Sequence, residues 1–222
     1  MLGRGLAGLL LIVSAAVALF AFVNPPVTSV IATEFLRLGS VDRDWVAIES
    51  VPDHFSRSLV AAEDANFCLH WGFDLDAIRS AAVAGYSRGG STISQQTAKN
   101  LFLWRDRSWL RKVLEVPITL LIEAIWTKQR ILEVYMNIIE FDSGVFGVAE
   151  GARQHFGKEP GELTEAESAR LAVVVPNPRQ RNPFEFPPEL ETRAELVQDG
   201  ARTIAKDGRS SCFDARISAT SG

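Results

Sequence analysis

Cysteine is scarce in this chain, whose 222 residues include only Cys68 and Cys212. Two cysteines are too few for the disulfide framework of a small secreted domain. In an oxidising compartment they could still pair and tie Cys68 to a loosely specified C-terminal tail; two unpaired thiols fit the sequence equally well. Histidine is also scarce, and His54, His70 and His155 are scattered without the spacing of metal ligands. The sequence therefore predicts neither a disulfide scaffold nor a zinc site.

Basic residues are too few to attract nucleic acid in bulk. The 23 Lys and Arg residues are outnumbered by 27 Asp and Glu, the formal net charge is -4, and no long basic run occurs. Strand-like alternation is rare, and we find no internal repeat and no low-complexity segment. These absences exclude nucleic acid as an expected partner and favour a mainly helical fold.

Charge is missing altogether from Gly5 to Thr33, and the 18 residues from Leu6 to Val23 are almost wholly apolar. A helix of that length spans about 27 Å, close to the roughly 30 Å of a hydrocarbon core. Because Arg4 precedes the run, the positive-inside tendency places the N-terminus in the cytoplasm and the rest outside. A cleaved secretory signal is the alternative. We predict a retained anchor, because the apolar run continues past the small residues around Ala15.

About 200 residues follow this segment, enough for one well-buried domain. We predict a cytoplasmic N-terminus and transmembrane anchor over 1–24 and a juxtamembrane connector over 25–44. A single domain is predicted over 45–208, followed by a C-terminal tail over 209–222 that looks frayed.

Local signals predict several helices in the domain. An apolar stripe ends at Glu63-Asp64, so these acids are expected at a helix C-terminus, where the dipole opposes them and a nearby cation or a raised pKa is needed. Pro117 is expected to kink or interrupt its helix, and Gly89-Gly90 to end another. Helix N-caps are predicted at Asp74, Ser108, Thr127 and Thr164.

Two polar blocks, 62–74 and 89–100, predict an active site. The first closes an apolar helical run with two adjacent acids. The second places Ser, Thr, two Gln, Lys and Asn close together after a glycine pair. Carboxylate, amide, hydroxyl and ammonium groups concentrated in this way suit a site that binds a polyhydroxylated, anionic substrate and moves a proton on it.

Besides these two blocks, the chain has three others with mixed polar and apolar patterns, so that five occur in order within residues 63–74, 89–100, 111–115, 128–137 and 144–158. Through these blocks the chain, from about Trp45 to Pro178, resembles the peptidoglycan glycosyltransferase family in its monofunctional, membrane-anchored form. The resemblance implies a mainly α, lysozyme-like fold with a membrane-associated lobe. It also implies an enzyme that polymerises lipid II, a disaccharide-peptide carried on undecaprenyl pyrophosphate, with inversion at the anomeric carbon and release of undecaprenyl pyrophosphate.

The same resemblance implies roles for the acidic residues. Glu63 matches the general base that deprotonates the 4-hydroxyl of the acceptor sugar, and a salt-bridged helix-end acid is the alternative. Asp64 and His70 are substrate-binding candidates; a structural role is the alternative for Asp64, and His70 is also expected to brace the catalytic loop. Glu115 orients the pyrophosphate-side cations, shares a divalent cation (Mg²⁺ or Mn²⁺) with the substrate, or forms an i, i+4 pair with Arg111. No cofactor is expected to be required.

Four positions match cations that stabilise the leaving pyrophosphate, with solvated surface residues as the alternative: Lys99, Arg107, Arg111 and Lys112. Further substrate-binding candidates offer hydrogen bonds to sugar and phosphate: Ser91, Thr92, Gln95, Gln96 and Asn100. Four others are expected to line or buttress the acceptor side: Lys128, Glu133, Tyr135 and Asn137. For most of the tryptophans at 71, 104, 109 and 126 we expect core packing, with contact to lipid as the alternative.

Two residues depart from the family pattern, Asp142 in place of a more usual glycine and His155 in place of tyrosine. No Ser-x-x-Lys motif of a penicillin-binding module is found, so cross-linking is expected from another protein. The expected partners are lipid II, the growing glycan strand, the inner membrane, and penicillin-binding and division proteins, with the catalytic domain in the periplasm. Two rivals remain: a lytic glycosidase, which explains the cations poorly, and a non-catalytic scaffold, in which Glu63 is dispensable.

Overall fold

Helices dominate the structure, a computed structural model that describes residues 2–83, 90–106 and 108–214. In these residues the helices are α1 (Leu2–Phe20), α2 (Ser29–Leu38), α3 (Asp53–Glu63), α4 (Leu75–Val83), α5 (Ile93–Phe102), α6 (Trp109–Ile125), α7 (Lys128–Ile138), α8 (Val148–Phe156), α9 (Glu165–Val174) and α10 (Pro188–Lys206). Short 3₁₀ turns occur at Ile48–Ser50 and Pro160–Glu162. The prediction of a mainly α fold is confirmed.

Two groups of helices share one core. α3, α9 and α10 pack on one another, while α5 packs against both α6 and α7. Phe55 and Leu59 of α3, Ile93 of α5 and Tyr135 of α7 are fully buried in a single apolar cluster. A small sheet lies beside them, with β1 (Asp42–Arg43) parallel and β2 (Glu140–Asp142) antiparallel to the central β3 (Val145–Phe146). The two predicted active-site blocks thereby lie at the end of α3 and around the start of α5, helices that pack into this core.

The four predicted N-caps are all found. In each case the side-chain oxygen of the cap accepts a hydrogen bond from a backbone N–H in the first turn of the helix that follows it. The caps are Asp74 for α4, Ser108 for α6, Thr127 for α7 and Thr164 for α9. These bonds satisfy N–H groups that have no partner inside the helix. The glycine pair predicted to end α4 falls partly outside the described residues, because Gly89 is not among them.

Pro117 lies inside α6 without ending it, so of the kink or interruption predicted there, the interruption is wrong. Proline removes the hydrogen bond to the carbonyl four residues earlier, which belongs to Val113. Both residues are exposed to solvent. Water can therefore solvate the freed carbonyl, and packing of the opposite, buried face holds the helix together.

The apolar N-terminal segment forms α1, and its last turns dock on the domain. Val17 is fully buried, and its carbonyl accepts a hydrogen bond from the indole of Trp126 at 2.7 Å. Arg130 of α7 donates to the carbonyl of Phe20. None of the helices in the described part of the chain combines the length and apolarity needed to cross a bilayer.

The C-terminal segment is held by a disulfide. Cys68 and Cys212 are bonded, which decides between the two alternatives that the sequence left open. Next to the bond, Phe213 packs its buried ring on Phe67, and buried Asp214 binds the guanidinium of Arg57 at 2.9 Å. The prediction of a frayed tail is therefore wrong for residues 209–214, because their anchoring depends on partners far away in the sequence.

Reducing this disulfide should lower the melting temperature. The bond joins residues 144 positions apart, and cross-links of this kind typically contribute about 2 to 4 kcal/mol. Since each kcal/mol shifts the melting temperature of a domain of this size by about 2 to 4 °C, a fall of roughly 5 to 15 °C is expected. Thermal unfolding of the Cys68→Ala/Cys212→Ala variant and of the wild type, each with and without dithiothreitol, measures it. An equal effect of the reductant on both proteins would contradict the prediction.

Candidate active site

Glu63 is the last residue of α3 and faces a cavity. Its Oε2 accepts a hydrogen bond from Nε2 of Gln96 at 2.8 Å. Burial raises the pKa of Glu63, against the lowering effects of the Gln96 hydrogen bond and of the charges on Arg193, Lys99 and Arg181. The sequence predicted either a nearby cation or a raised pKa at this helix end, and the cause of the raised pKa of Glu63 is burial. A carboxylate in such surroundings is a stronger proton acceptor than one in water, as a general base requires.

Asp64, next in the chain, is buried and engaged by the protein through both oxygens. Its Oδ1 pairs with Nε2 of His70 at 2.8 Å, and its Oδ2 accepts from the backbone N–H of Ile93 at 2.9 Å. Ile93 is the first residue of α5, so Asp64 also meets the positive end of that helix. Asp64 thus ties the loop after α3 to the start of α5, and His70 braces that loop as the resemblance implied.

The second polar block, residues 89–100, supplies the residues that start α5. Thr92 and Gln95 form a capping box, in which each side chain bonds the other's backbone N–H. The Thr92 hydroxyl also donates to the carbonyl of Gly72 at 2.7 Å. Gly72 needs to be glycine, because its φ is +86° and a Cβ would lie 2.9 Å from a methyl group of Thr119. Ser91, Gln95 and Gln96 also line the cavities next to this helix start.

A cationic cavity of about 650 Å³ opens beside Gln96, between α5 and α6. Glu115 lies at its base, 1% exposed, with Oε2 bonded to Arg111 at 2.6 Å and Oε1 to Lys112 at 2.7 Å. Lys112 also donates to the Ser91 hydroxyl at 3.2 Å. Lys99 lines the same cavity. Three of the four predicted cations thus converge; Arg107 lies outside the described residues.

Glu115 does not fit a divalent cation in this arrangement. Both of its oxygens are occupied by cationic side chains, which a metal ion would have to displace. In the described residues no three or more His, Cys, Asp or Glu side chains are grouped to hold a metal ion. The geometry matches the two other predicted roles, the i, i+4 pair with Arg111 and the orientation of the cavity's cations.

Lys99 has no carboxylate partner within salt-bridge distance among the described residues. Burial lowers its pKa, and the positive charge of Arg111 lowers it further, while Glu115 raises it. A desolvated ammonium group without its own counter-ion is costly in free energy. An anionic ligand in the cavity would offset that cost.

A second cavity, of about 500 Å³, is lined by Glu63. Ser91 and Gln96 line both cavities, so the two meet at these residues, and Glu63, which is hydrogen-bonded to Gln96, lies next to that boundary. Arg181 and Arg193 line the second one. Neither arginine was predicted from the sequence, because no local motif marks them. Arg193 reaches the site through the packing of α10 on α3.

The four residues assigned to the acceptor side lie beneath the site as supports. Glu133 accepts from the backbone of Ile48, and Asn137 exchanges hydrogen bonds with the backbone of Val46. Lys128 pairs with Glu123 at 2.7 Å. The remaining member, Tyr135, donates to Gln96. Buttressing, one of the two roles expected for this group, is what their contacts provide.

Two further expectations concern single side chains. Asn100 accepts a hydrogen bond from Ser29 through its backbone carbonyl and lines neither cavity described above. Of the tryptophans, Trp126 is buried as expected, whereas Trp71, Trp104 and Trp109 are exposed. The expectation of core packing is wrong for these three.

Comparison with known proteins places this site in a family. A family model described as Transglycosylase matches residues 30–202. The chain is 48% identical to the biosynthetic peptidoglycan transglycosylase of Jannaschia sp. (strain CCS1), over 95% of this chain and 88% of that protein. It is 42% identical to the protein of the same description from Rhodospirillum centenum, over 94% and 92% of the two chains. The chain therefore belongs to the transglycosylase family.

Proposed function

We propose that the protein polymerises lipid II into linear glycan strands by inverting glycosyl transfer. Family membership makes it a glycosyltransferase of peptidoglycan synthesis. The observation that carries the finer assignment is the position of Glu63 in a cavity that adjoins the cationic one: Gln96, its hydrogen-bond partner, lines both, and Lys99, Arg111 and Lys112 line the cationic cavity. A base beside a fixed cluster of cations suits a reaction that moves a proton and expels a pyrophosphate.

The chemistry follows from these positions. Glu63 takes the proton from the 4-hydroxyl of the acceptor sugar, and the oxygen attacks the anomeric carbon of the donor on the face opposite its pyrophosphate. The bond from that carbon to the phosphate oxygen breaks with its electron pair, so negative charge grows on the leaving group. Lys99, Arg111 and Lys112 stabilise this charge. Attack from the opposite face inverts the anomeric configuration.

The cationic cavity adjoins an apolar surface that suits the substrate's lipid. Trp109 lines the cavity and is 87% exposed, while Leu110 and Val113 on the same side of α6 are 62% and 61% exposed. Contiguous exposed apolar residues beside a polar site mark contacts with lipid or protein. We therefore assign this stripe to the membrane surface, where it lets a lipid-linked pyrophosphate enter the cavity from the bilayer.

An inner-membrane location with the catalytic domain in the periplasm belongs to the same proposal. The uncharged run from Leu6 to Val23 supports a retained anchor. A lysozyme-like arrangement of the helices and association with penicillin-binding and division proteins are likewise proposed from the family resemblance.

Replacing part of the stripe should selectively impair use of membrane-bound substrate. For the Leu110→Gln/Val113→Gln variant we expect KM for lipid II in vesicles to rise about tenfold, or about 1.4 kcal/mol, since apolar area no longer enters the lipid. The rate with a water-soluble, short-chain lipid II analogue should not change. Phe184→Gln, which alters a side chain of similar exposure (63%) elsewhere, is the matched control for vesicle binding. An equal loss with both substrates would refute the assignment of the stripe.

The proposed reaction is tested on purified wild-type protein incubated with labelled lipid II. Products are resolved on a gel before and after muramidase digestion. A ladder of polymer that muramidase destroys is the expected result. Cleavage of preformed glycan without polymer would support the lytic rival, and binding without either reaction would support the scaffold.

A further inference from the structure

Tyr135 is connected to Glu63 through one side chain. The tyrosine lies on α7 and is fully buried. Its hydroxyl donates to Oε1 of Gln96 at 2.9 Å, and Nε2 of the same amide donates to Oε2 of Glu63 at 2.8 Å. Side chains from α7, α5 and α3 thus form a continuous chain of hydrogen bonds that ends on the Glu63 carboxylate in the second cavity.

The direction of these bonds matters, because a carboxamide can present either its oxygen or its NH₂ group. A donating hydroxyl at Oε1 turns the NH₂ group of Gln96 towards Glu63. With the amide reversed, its oxygen would face a carboxylate, two acceptors in contact. The buried hydroxyl hydrogen of Tyr135 would also lose its only acceptor among the described residues, which is costly. Tyr135 therefore favours one of the two amide orientations.

We propose that Tyr135 is a positioning residue for glycosyl transfer, which orients the Gln96 amide so that it holds Glu63 in the ionised, proton-accepting form. The proposal rests on the role of Glu63 as the base. Tyr135 acts through Gln96 and lines neither the cationic cavity nor the second cavity. It gives the buried tyrosine a role in the proton transfer beyond the buttressing of the acceptor side.

The surroundings of Glu63 show why an oriented amide is needed. Burial raises its pKa and favours the protonated form, which cannot act as a base. Four groups oppose burial: the Gln96 amide of α5, Arg193 of α10, Lys99 of α5 and Arg181 in the segment between α9 and α10. Of these four groups, Gln96 alone acts through an amide, which stabilises the Glu63 carboxylate only when its NH₂ group faces it.

Tyr135 is suited to remain a donor throughout. Burial raises its pKa well above the usual value, and the negative charges of Glu63 and Asp64 raise it further. The hydroxyl therefore stays protonated at every pH at which the enzyme would work. Its hydrogen bond to Gln96 does not titrate away as Glu63 gains or loses its proton.

The Tyr135→Phe variant removes the hydroxyl and keeps the ring that fills the core. Without the donor the Gln96 amide is free to rotate, the hydrogen bond to Glu63 weakens, and the pKa of Glu63 rises. Because the base must be ionised, the acid limb of kcat/KM for lipid II should move to higher pH by roughly one unit, the size expected for a lost hydrogen bond to a charged group. A purely structural role would lower stability or the overall rate without moving this limb.

Two further variants connect the effect to the amide. Gln96→Ala should move the acid limb in the same direction, and adding Tyr135→Phe to it should move the limb no further. Thr97→Val is the matched control, because it removes another buried hydroxyl of α5 whose one partner in the described part of the chain is the carbonyl of Ile93. Its acid limb should coincide with that of the wild type.

An acid limb that stays in place in Tyr135→Phe, or additive shifts in the double variant, would overturn the proposal. If Tyr135→Phe does not fold, Gln96→Ala decides: an unmoved limb there overturns the proposal equally. Glu63→Gln is assayed alongside. Activity that survives in it would refute the base itself, whereas its inactivity combined with an unmoved limb in Tyr135→Phe would refute only the positioning role.

Discussion

Glu63→Gln should lose polymerising activity by about a hundredfold to ten-thousandfold, the usual contribution of a general base. The amide has nearly the same shape as the carboxylate but cannot accept the proton of the 4-hydroxyl. Initial rates of polymer formation from labelled lipid II measure the loss. The free energy of unfolding should not fall, because the substitution removes a carboxyl group whose ionised form is disfavoured by burial.

Control measurements test whether this variant keeps the wild-type fold. Thermal unfolding and the binding of lipid II should remain close to those of the wild type, which separates a lost proton transfer from a lost structure. Activity within a few-fold of the wild type would refute the base role and would leave Glu63 as a structural acid at the end of α3. Survival of function in cells would point to the scaffold.

Lys99→Ala is expected to lower kcat about a hundredfold to a thousandfold, equivalent to about 2.7 to 4 kcal/mol of transition-state stabilisation. Lys99 lies in the cationic cavity without a salt-bridge partner among the described residues. Its charge is thus available to the leaving pyrophosphate, whereas Arg111 and Lys112 share Glu115. Steady-state kinetics with lipid II separates kcat from KM.

Matched variants sharpen this result. Lys206→Ala removes a lysine from the exposed last turn of α10 and should keep wild-type activity. Lys99→Arg retains the charge and should recover part of the rate. Because burial lowers the pKa of Lys99, the wild-type rate should also fall at alkaline pH as this ammonium group loses its proton, and the fall should move to higher pH in Lys99→Arg. A rate for Lys99→Ala within a few-fold of the wild type would refute its role.

The local features of the fold could be predicted from the sequence. Helix caps such as Asp74 and Thr164 bond a backbone N–H only two or three residues away, so their signal is complete within a few positions. The position of Glu63 at a helix end followed in the same way from the apolar stripe before it. Pro117 was misjudged because a proline rule based on local sterics takes no account of the buried face opposite it.

Features that depend on distant contacts could not be predicted from the residues alone. The hydrogen bond between Tyr135 and Gln96 joins residues 39 positions apart, and that between Arg193 and the carbonyl of Ala62 joins residues 131 positions apart. Neither pair has a spacing that a helical or strand period would mark. The roles of Lys99 and Glu115 were available in advance only through the family resemblance, which relates positions without giving their contacts.

The bond between Cys68 and Cys212 also allows the membrane topology of the protein to be determined from the state of its cysteines. Cytosolic thiols are kept reduced, whereas disulfides form and persist after export. A chain alkylated in intact cells therefore carries two blocked cysteines if its domain stayed in the cytosol and none if the domain crossed the membrane and folded. Counting the alkyl groups on the protein by mass would report, molecule by molecule, on which side of the membrane each copy matured.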